Sequence, residues 1–452
     1  MQVEFYGAAR EVTGSCHIVR VNGKTILLDC GLFQGRRAGV QRKNEHIPLD
    51  VPQVDAIVVL HAHIDHAGRL PFLVRNGYRK GIHATAATRG LCEVMLADVA
   101  HIQEKDAEFL SRRKKAHAEP LYSMRDATCT IELIRGVSYG SAVEVVPGVK
   151  AIFTDAGHIL GSASVMLDCI DGGKPERLVF SGDIGRAGLP IIRDPEPPSG
   201  ANAVIMESTY GNREHSSAGD AKVELGRIGK ETVARGGRVL IPAFAAGRTQ
   251  ELVYDLHQLA DEGAIPRVPI VIDSPLATVA TSVFEKNADL FDQLEPFVQS
   301  QHTRQQALFQ FPLLRYTESV EESKAFNQQV GPMVVIAASG MAESGRILHH
   351  LLHGASDPRN TVLIVGFMAE NILGRRIAEK HATMKVYGEE VLLRAHVEEI
   401  QGYSAHAGCS EMYKTCFPPC SGAQGIAWIV RHRERALTSD GDAHFRGGAP
   451  VT

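Results

Sequence analysis

The chain has 452 residues, of which 44% are hydrophobic and 22% are charged. This composition is ordinary for a globular protein, and the length predicts two or three domains. The formal net charge of −4 excludes a global attraction to nucleic acid or to an anionic membrane, so a polyanionic substrate would need a local basic groove.

The first residues and the cysteines indicate a cytoplasmic protein. Residues 1–6 lack the basic and apolar regions of a signal peptide, and no stretch has the apolar length needed to span a bilayer. The eight cysteines are scattered without a zinc-ribbon or paired spacing, which indicates reduced thiols.

Residues 2–30 predict consecutive short strands. Asn22-Gly23 is a hairpin-turn signal between two apolar runs. The second run ends in Asp29, whose carboxylate could either orient a metal-bound histidine or cap a turn.

The next apolar run, residues 56–60, leads into a cluster of potential metal ligands. Alternate side chains at a strand end point the same way, so His61 and His63 can face one point. The turn that follows can bring Asp65 and His66 alongside them. Imidazole nitrogen and carboxylate oxygen suit zinc and similar divalent ions, and four such side chains in six positions predict a metal site rather than a solvated loop.

Helical and strand patterns follow this cluster. They predict a short helix over residues 69–77, a strand over 82–85 and a long helix over 88–113. The long helix ends in a basic run, residues 112–115, which is either a solvated helix end or a nucleic-acid contact.

Two later strands each deliver one further potential ligand. The strand at 149–155 is followed by His158, and the strand at 177–180 is followed by Asp183. A carboxylate that bridges two cations is the expected way to hold a metal pair. The predicted division is His61, His63 and His158 on one ion, Asp65 and His66 on the other, and Asp183 between them.

This combination resembles the metallo-β-lactamase superfamily. It consists of Asp29, His61, His63, Asp65, His66, His158 and Asp183. The resemblance implies an αββα sandwich with two zinc ions per chain, and Asp29 as a support for the metal ligands.

The following segments are similar to the β-CASP branch, the nucleic-acid-processing members of the superfamily. A buried strand at 204–206 ends in Glu207 and hydroxyl side chains, as in the first additional β-CASP motif. Residues 209–385 then alternate strands with helices, which indicates an inserted α/β domain with a mostly parallel sheet.

Several turns in this insertion place Gly, Ser or Thr ahead of a predicted helix, where backbone N–H groups can bind a phosphate. Ser339 and Gly340, with Arg346 one to two turns further on, are the best candidates. Arg248 opens another such helix. The alternative is ordinary N-capping.

Residues 401–408 resemble the second β-CASP motif, whose histidine, here His406, faces the metal site. The family usually has an aspartate where this chain has Gly408, and a glycine where it has Asn371.

The third β-CASP motif, a His-Gly-Glu that supplies a seventh ligand, is poorly matched. Its only candidate is His432, which lies 432 − 406 = 26 residues after His406 and is followed by Arg433. Residues 433–452 have little apolar periodicity and predict a disordered tail. The predicted domains are a metallo-β-lactamase part at 1–208, the insertion at 209–385, a return segment at 386–432 and the tail.

The resemblance implies a zinc-dependent ribonuclease that hydrolyses phosphodiester bonds of single-stranded RNA with a metal-activated hydroxide. Asp65 and Asp183 would be both ligands and catalytic groups, and His406, braced by Glu207, would protonate the leaving oxygen. A DNA-processing nuclease of the same branch and a catalytically impaired RNA-binding subunit stay open as alternatives. A thioester or lactam hydrolase is disfavoured because such enzymes lack the insertion. No membrane partner is expected, and homo-oligomerisation is left open.

Overall fold

In the computed structural model the chain divides into two compact units. The first unit comprises residues 1–187, 194–214 and 406–452, and the second comprises residues 188–193 and 215–405. The structure describes residues 1–9, 11–35, 37–114, 118–215, 217–304, 307–366, 368, 372–416 and 426–429.

The first unit begins with a six-stranded sheet whose strands follow one another in chain order. They are β1 (Gln2–Phe5), β2 (His17–Val21), β3 (Lys24–Leu28), β4 (Ala56–Val58), β5 (Ile82–Thr85) and β6 (Ile134–Val137). The pairings β1–β2 and β2–β3 are antiparallel, and those from β3 to β6 are parallel. The helices of this region are α1 (Arg37–Glu45), α2 (Ile64–Ala67), α3 (Leu70–Arg75), α4 (Ala86–Lys114) and α5 (Met124–Leu133), with a 3₁₀ turn at Val51–Gln53.

A second six-stranded sheet completes the first unit. Its strands are β7 (Ala142–Val146), β8 (Val149–Asp155), β9 (Ala163–Asp171), β10 (Lys174–Phe180), β11 (Ala203–Met206) and, beside β11, the strand Ile426–Ile429. Strands β7 to β10 form an antiparallel meander, whereas β11 pairs in parallel with both of its neighbours.

The two sheets pack face to face around one hydrophobic core. Val19 and Leu28 of the first sheet share this core with Phe153 and Val165 of the second. Burying a side chain of this size contributes roughly 1.5–3 kcal/mol. Helix α4 packs on β5 and β6, and the helix Cys409–Cys416 covers the second sheet through Met412. This helix–sheet–sheet–helix order is the predicted αββα sandwich.

The second unit is built on a six-stranded sheet in which every pairing is parallel. Its sheet strands are β12 (Val239–Pro242), β13 (Ile270–Ile272), β14 (Leu314–Tyr316), β15 (Val334–Ala337), β16 (Thr361–Ile364) and, after a hairpin of β17 (Thr383–Val386) and β18 (Glu389–Leu392), β19 (His396–Glu399). The helices are α6 (Ala218–Ala234), α7 (Arg248–Asp261), α8 (Pro275–Lys286), α9 (Pro296–Arg304), α10 (Val320–Gln328), α11 (Ile347–Gly354) and α12 (Leu373–Ala378), with 3₁₀ turns at Ala288–Leu290 and Gln401–Tyr403; the first unit then adds α13 (Cys409–Cys416). Alternation of strands and helices produces the predicted parallel sheet.

The second unit extends further along the chain than the predicted insertion. Strand β19 pairs in parallel with β16, and the backbone contacts therefore place residues 386–405 in the second unit. The return segment predicted from residue 386 thus begins about twenty residues later in the observed division.

Within the described residues, no helix has both the length and the apolar character needed to cross a membrane. The predicted ligand His432, the tail 433–452 and Asn371 lie outside the described residues.

Candidate metal centre

Three histidine nitrogens and a carboxylate oxygen converge at the ends of β4, β8 and β10. His63 Nδ1 lies 3.1 Å from His61 Nε2 and 3.2 Å from His158 Nε2. Asp183 Oδ2 lies 3.7 Å from the Nε2 atoms of both His61 and His158. A tetrahedral zinc ion separates its nitrogen ligands by about 3.3 Å. The four side chains therefore fit a single metal ion.

The surroundings of this first group keep the imidazoles of His61 and His63 neutral. Burial, together with the neighbouring His66, lowers the pKa of His61 well below its ordinary value. Desolvation lowers the pKa of His63 to about 3, and His158 adds to the effect. A neutral imidazole presents the lone pair that a metal ion requires. Near neutral pH these rings are ready to bind metal without losing a proton.

A second group of ligand atoms lies on the other side of Asp183. His66 Nε2 is 3.2 Å from Asp183 Oδ1 and 3.8 Å from Asp65 Oδ2. Asp183 thus directs Oδ2 toward the first group and Oδ1 toward the second, which is the arrangement of a carboxylate that bridges two cations. The structure brings together six of the seven predicted ligands, and the seventh, His432, is outside the described residues.

Asp29 is fully buried and fixes the orientation of His66. Its Oδ1 accepts a hydrogen bond from the Leu60 N–H at 3.0 Å, and its Oδ2 accepts one from the Ser15 hydroxyl at 3.0 Å. The same Oδ2 lies 2.6 Å from His66 Nδ1. A proton on Nδ1 leaves the Nε2 lone pair for a metal ion. These contacts favour the orienting role of Asp29 over turn capping.

Two glycines allow the ligand-bearing loops to approach each other closely. A Cβ atom at Gly31 would lie 1.6 Å from the Asp65 carbonyl oxygen, and one at Gly185 would lie 1.7 Å from the Gly157 carbonyl oxygen. No side chain fits at such distances. The Asp65 and His158 loops therefore require glycine at both positions.

His406 and Glu207 form a pair beside the first group. His406 Nδ1 lies 3.1 and 3.0 Å from the two carboxylate oxygens of Glu207, and 4.0 Å from Asp183 Oδ2. Glu207 is itself fixed, because its Oε1 accepts the Ile184 N–H at 2.5 Å and its own N–H donates to Ser181 Oγ at 3.1 Å. An Nδ1 proton shared with Glu207 leaves Nε2 as the ring atom that can exchange a proton with a substrate.

The glycine at position 408 is accommodated by a carboxylate from elsewhere in the first unit. Glu214 Oε1 accepts hydrogen bonds from the Ser410 N–H at 2.9 Å and from the Ser410 hydroxyl at 2.6 Å. A Cβ at Gly408 would lie 2.7 Å from Glu214 Oε2. Glu214 thus caps the start of α13 and occupies the space next to the position where the family usually has an aspartate.

Sequence reasoning missed several supporting residues of the first unit. The Ser15 hydroxyl donates to the Asp29 carboxylate, Ser181 Oγ accepts the Glu207 backbone N–H, and the ring of Tyr210 lies 6.0 Å from that of His406. A serine or tyrosine carries no ligand signal of its own. Only the Ser181 position, two residues before Asp183, could have suggested a role.

Ser339 and Gly340 do not lie at the N-terminus of the helix that they were predicted to precede. Helix α11 begins at Ile347. The Ser339 hydroxyl oxygen instead accepts the N–H groups of Glu343 at 3.2 Å and Ser344 at 3.3 Å. The side chain therefore closes a loop on itself, and positive φ angles of 56° at Ala342 and 77° at Gly345 prevent a regular helix there.

Arg346 is anchored inside the second unit. Its Nη1 donates to Asp273 Oδ1 at 2.7 Å and to Thr317 Oγ1 at 2.9 Å. Burial raises the pKa of Asp273, but the hydrogen bonds that its carboxylate accepts hold the pKa well below its usual range. The donors are His350, Ser323, Thr317 and Arg346. The guanidinium of Arg346 is thus paired with a permanently charged carboxylate.

Arg248 is the first residue of α7, as predicted, but its side chain is only 9% exposed. It forms an ion pair with Glu251, and its guanidinium carbon lies 5.7 Å from the centre of the Tyr403 ring. These contacts, all within the second unit, do not favour the predicted contact with substrate.

The family comparisons cover both parts of the chain. The family model of the Metallo-beta-lactamase superfamily matches residues 9–89, and that of the Beta-Casp domain matches residues 249–377.

Three relatives align with nearly all of the chain. "Ribonuclease TTHA0252" of Thermus thermophilus is 38% identical over 414 residues, which are 91% of this chain and 90% of that protein. "Endoribonuclease YSH1" of Saccharomyces cerevisiae is 31% identical and "Transcription termination factor FttA" of Methanosarcina mazei is 30% identical, each over 90% of this chain. The chain spans 51% of the yeast protein and 63% of the archaeal one. With these matches and the αββα sandwich, the chain belongs to the β-CASP branch of the metallo-β-lactamase superfamily.

Proposed function

We propose that this protein is a zinc-dependent ribonuclease that hydrolyses phosphodiester bonds in single-stranded RNA. The main support is the bridging geometry of Asp183, whose Oδ2 faces the Nε2 atoms of His61 and His158 and whose Oδ1 faces the Nε2 atom of His66. The relatives named Ribonuclease and Endoribonuclease support RNA as the substrate.

Two zinc ions would be held by the six ligands described above. His61, His63 and His158 with Asp183 would hold one ion, and Asp65 and His66 with the other oxygen of Asp183 would hold the second. Bound zinc supplies Lewis acidity toward a phosphoryl oxygen and lowers the pKa of water, so that a nucleophile is available at neutral pH. Asp29, through its contact with His66 Nδ1, would keep the Nε2 lone pair available for the second ion.

His406 would serve as the general acid. The carboxylate of Glu207 accepts the Nδ1 proton and stabilises the imidazolium, so Nε2 can deliver a proton to the leaving oxygen of the cleaved bond. Loss of a general acid typically lowers a rate by roughly 10²- to 10⁴-fold. In this proton transfer Glu207 would act through His406, so it is a positioning residue.

Phosphate contacts are assigned to the loop at Ser339 and Gly340. The Ser339 oxygen accepts two backbone N–H groups, which leaves its own proton to donate to a phosphate oxygen. Arg346 adds positive charge to the same loop, reduced by its pairing with Asp273. Arg248 stays a prediction that its burial does not favour.

The test compares matched RNA and DNA strands, labelled at either end, with zinc-loaded protein and with protein dialysed against a chelator. We expect the zinc-loaded protein to cleave RNA, and both chelation and His63→Ala to abolish cleavage. The elemental zinc content of each sample is measured in parallel. Cleavage that survives metal removal would contradict the two-zinc proposal, and cleavage of DNA alone would point to a DNA-processing nuclease.

The role of His406 has a separate readout. His406→Ala should keep both zinc ions and lose turnover, whereas zinc loss in this variant would make His406 a ligand, since Asp183, Glu207 and His406 also form a group that could hold a metal. RNA binding without cleavage by zinc-loaded wild-type protein would identify an RNA-binding subunit.

A further inference from the structure

One aromatic ring is exposed in an otherwise buried stretch of the second unit. Every residue from 239 to 257 is buried except Phe244, which is 41% exposed. The stretch runs from β12 into α7, and both flanking alanines, Ala243 and Ala245, are buried. The backbone of this loop is therefore inside the unit while the ring alone faces outward.

Phe244 lies next to the loop to which we assign phosphate binding. Strands β12 and β15 pair in parallel, and the Ala243 N–H donates to the Ala337 carbonyl at 3.1 Å beyond the last sheet pair. A Cβ atom at Gly340 would lie 2.8 Å from Phe244 Cδ2 and 2.9 Å from the Phe244 backbone nitrogen. The ring thus packs directly on Gly340, where only glycine leaves room for it.

The backbone that carries this ring is fixed by side chains of α7. The Phe244 carbonyl accepts hydrogen bonds from the Thr249 N–H at 3.2 Å and from the Thr249 hydroxyl at 2.7 Å. The Ala245 carbonyl accepts one from Gln250 Nε2 at 3.1 Å. An exposed ring on a fixed backbone loses little conformational entropy when a flat partner packs on it.

We propose that Phe244 is a stacking platform for one nucleobase of the substrate, beside the phosphate bound at Ser339 and Gly340. The inference rests on the proposed function and adds to it the contact that recognises unpaired bases. Every base has a π face, so such a contact tolerates any sequence. It requires an unstacked base, so it selects single strands over duplexes.

The test measures binding of fluorescent single-stranded RNA by anisotropy, with zinc-loaded protein that carries His406→Ala so that the RNA is not consumed. Phe244→Ala in this background should weaken binding by about 5- to 150-fold, the range expected for the loss of one base–aromatic stack. Phe244→Trp should restore binding. Leu294→Ala, which truncates another exposed apolar side chain of the second unit (82% exposed), should leave it unchanged.

A series of RNAs with a single abasic nucleotide at successive positions identifies the stacked base. At one position, the abasic RNA should bind the parent protein, which retains Phe244, as weakly as intact RNA binds Phe244→Ala. Combining this abasic RNA with Phe244→Ala should not weaken binding any further. Equal affinity of Phe244→Ala and its parent, or a loss that adds fully to every abasic site, would overturn the inference. In cleavage assays Phe244→Ala should raise KM and leave kcat nearly unchanged. Absence of RNA cleavage by the wild-type protein would refute the proposed function, and the binding series would still decide the role of Phe244.

Discussion

At the residue scale, two buried carboxylates each connect a histidine ring to a loop that carries metal ligands. Asp29 accepts the Leu60 N–H and contacts His66, and Glu207 accepts the Ile184 N–H and contacts His406. In each case one carboxylate fixes both the tautomer of the ring and the backbone beside a ligand. The difference lies in what the second ring nitrogen faces, which is a metal position for His66 and the proposed leaving oxygen for His406.

This comparison predicts different effects for neutral substitutions of the two carboxylates. Asp29→Asn should lower the affinity for the second zinc ion by roughly 10- to 100-fold, because an amide nitrogen cannot accept the hydrogen bonds from His66 and Ser15. Glu207→Gln should keep both ions and lower kcat. The zinc content at stepped free-zinc concentrations provides the measurement, and an Asp29→Asn protein that retains two ions as firmly as the wild type would contradict the assignment.

Gly31 provides a steric prediction. Gly31→Ala should displace the Asp65 backbone, since the new Cβ would lie 1.6 Å from the Asp65 carbonyl oxygen, and should reduce zinc binding and the free energy of unfolding together. Gly39→Ala is the matched control: Gly39 lies in α1, an added methyl group there would have nothing within 4 Å, and alanine favours a helix by up to about 1 kcal/mol. Thermal unfolding with and without zinc tests both variants, and equal behaviour of the two would show that the Asp65 loop can move without cost.

At the scale of elements, the parts of the fold that sequence predicted best are buried strands and the ligands that follow them. Residues 82–85 were predicted as a strand with the observed bounds. The six candidate ligands were singled out because imidazole and carboxylate side chains have metal chemistry and because these residues follow the ends of β4, β8 and β10. The loop between Ser339 and α11 was missed because the Ser339 side chain bonds to its own loop, which its sequence does not distinguish from a helix cap. Glu214 was missed because its partner Ser410 lies 196 residues away.

Helix α7 of the second unit carries a buried carboxyl group that should make stability depend on pH. Burial raises the pKa of Asp255 to about 7, and the hydrogen bond from the Tyr403 hydroxyl, 2.6 Å long, only partly opposes this. The folded protein thus favours the protonated carboxyl group up to about pH 7, whereas an aspartate of the unfolded chain loses its proton around pH 4. The contribution of Asp255 to stability should therefore be complete below that pH and be lost as the pH rises to about 7.

In the variant Asp255→Asn the side chain at this position is neutral at every pH, so its contribution to the pH dependence of stability is removed. We expect the free energy of unfolding of the wild type to fall relative to that of the variant between about pH 4 and pH 7, by at most about 1.4 kcal/mol per pH unit. Urea unfolding across this range provides the measurement. Asp261→Asn, at the end of the same helix with a side chain that is 40% exposed, should follow the wild type. Parallel curves for wild type and Asp255→Asn would contradict the assignment.

At the scale of the whole molecule, each unit has a core of its own, and the predicted metal ligands within the described residues all come from the first. The second unit instead carries the proposed RNA contacts. Its inner strands β12, β13, β15 and β16 are buried along their whole length, so we expect its sheet to be stable without a metal ion. Metal binding and the proposed RNA binding are thus assigned to different stretches of the chain.

This division predicts where zinc stabilises the protein. Ligand binding adds RT ln(1 + [L]/Kd) to stability, which is about 4 kcal/mol when free zinc exceeds Kd a thousandfold. Chelation should therefore accelerate amide hydrogen exchange in the peptides that hold the ligand loops, residues 56–68, 155–163 and 180–185, by a large factor. Peptides from β12 and β15 should exchange at the same rate with and without zinc. His63→Ala provides the control, because it removes a ligand of the first ion only and should therefore reduce the response of these peptides to zinc. A uniform acceleration across both units would contradict a metal site built from the first unit alone.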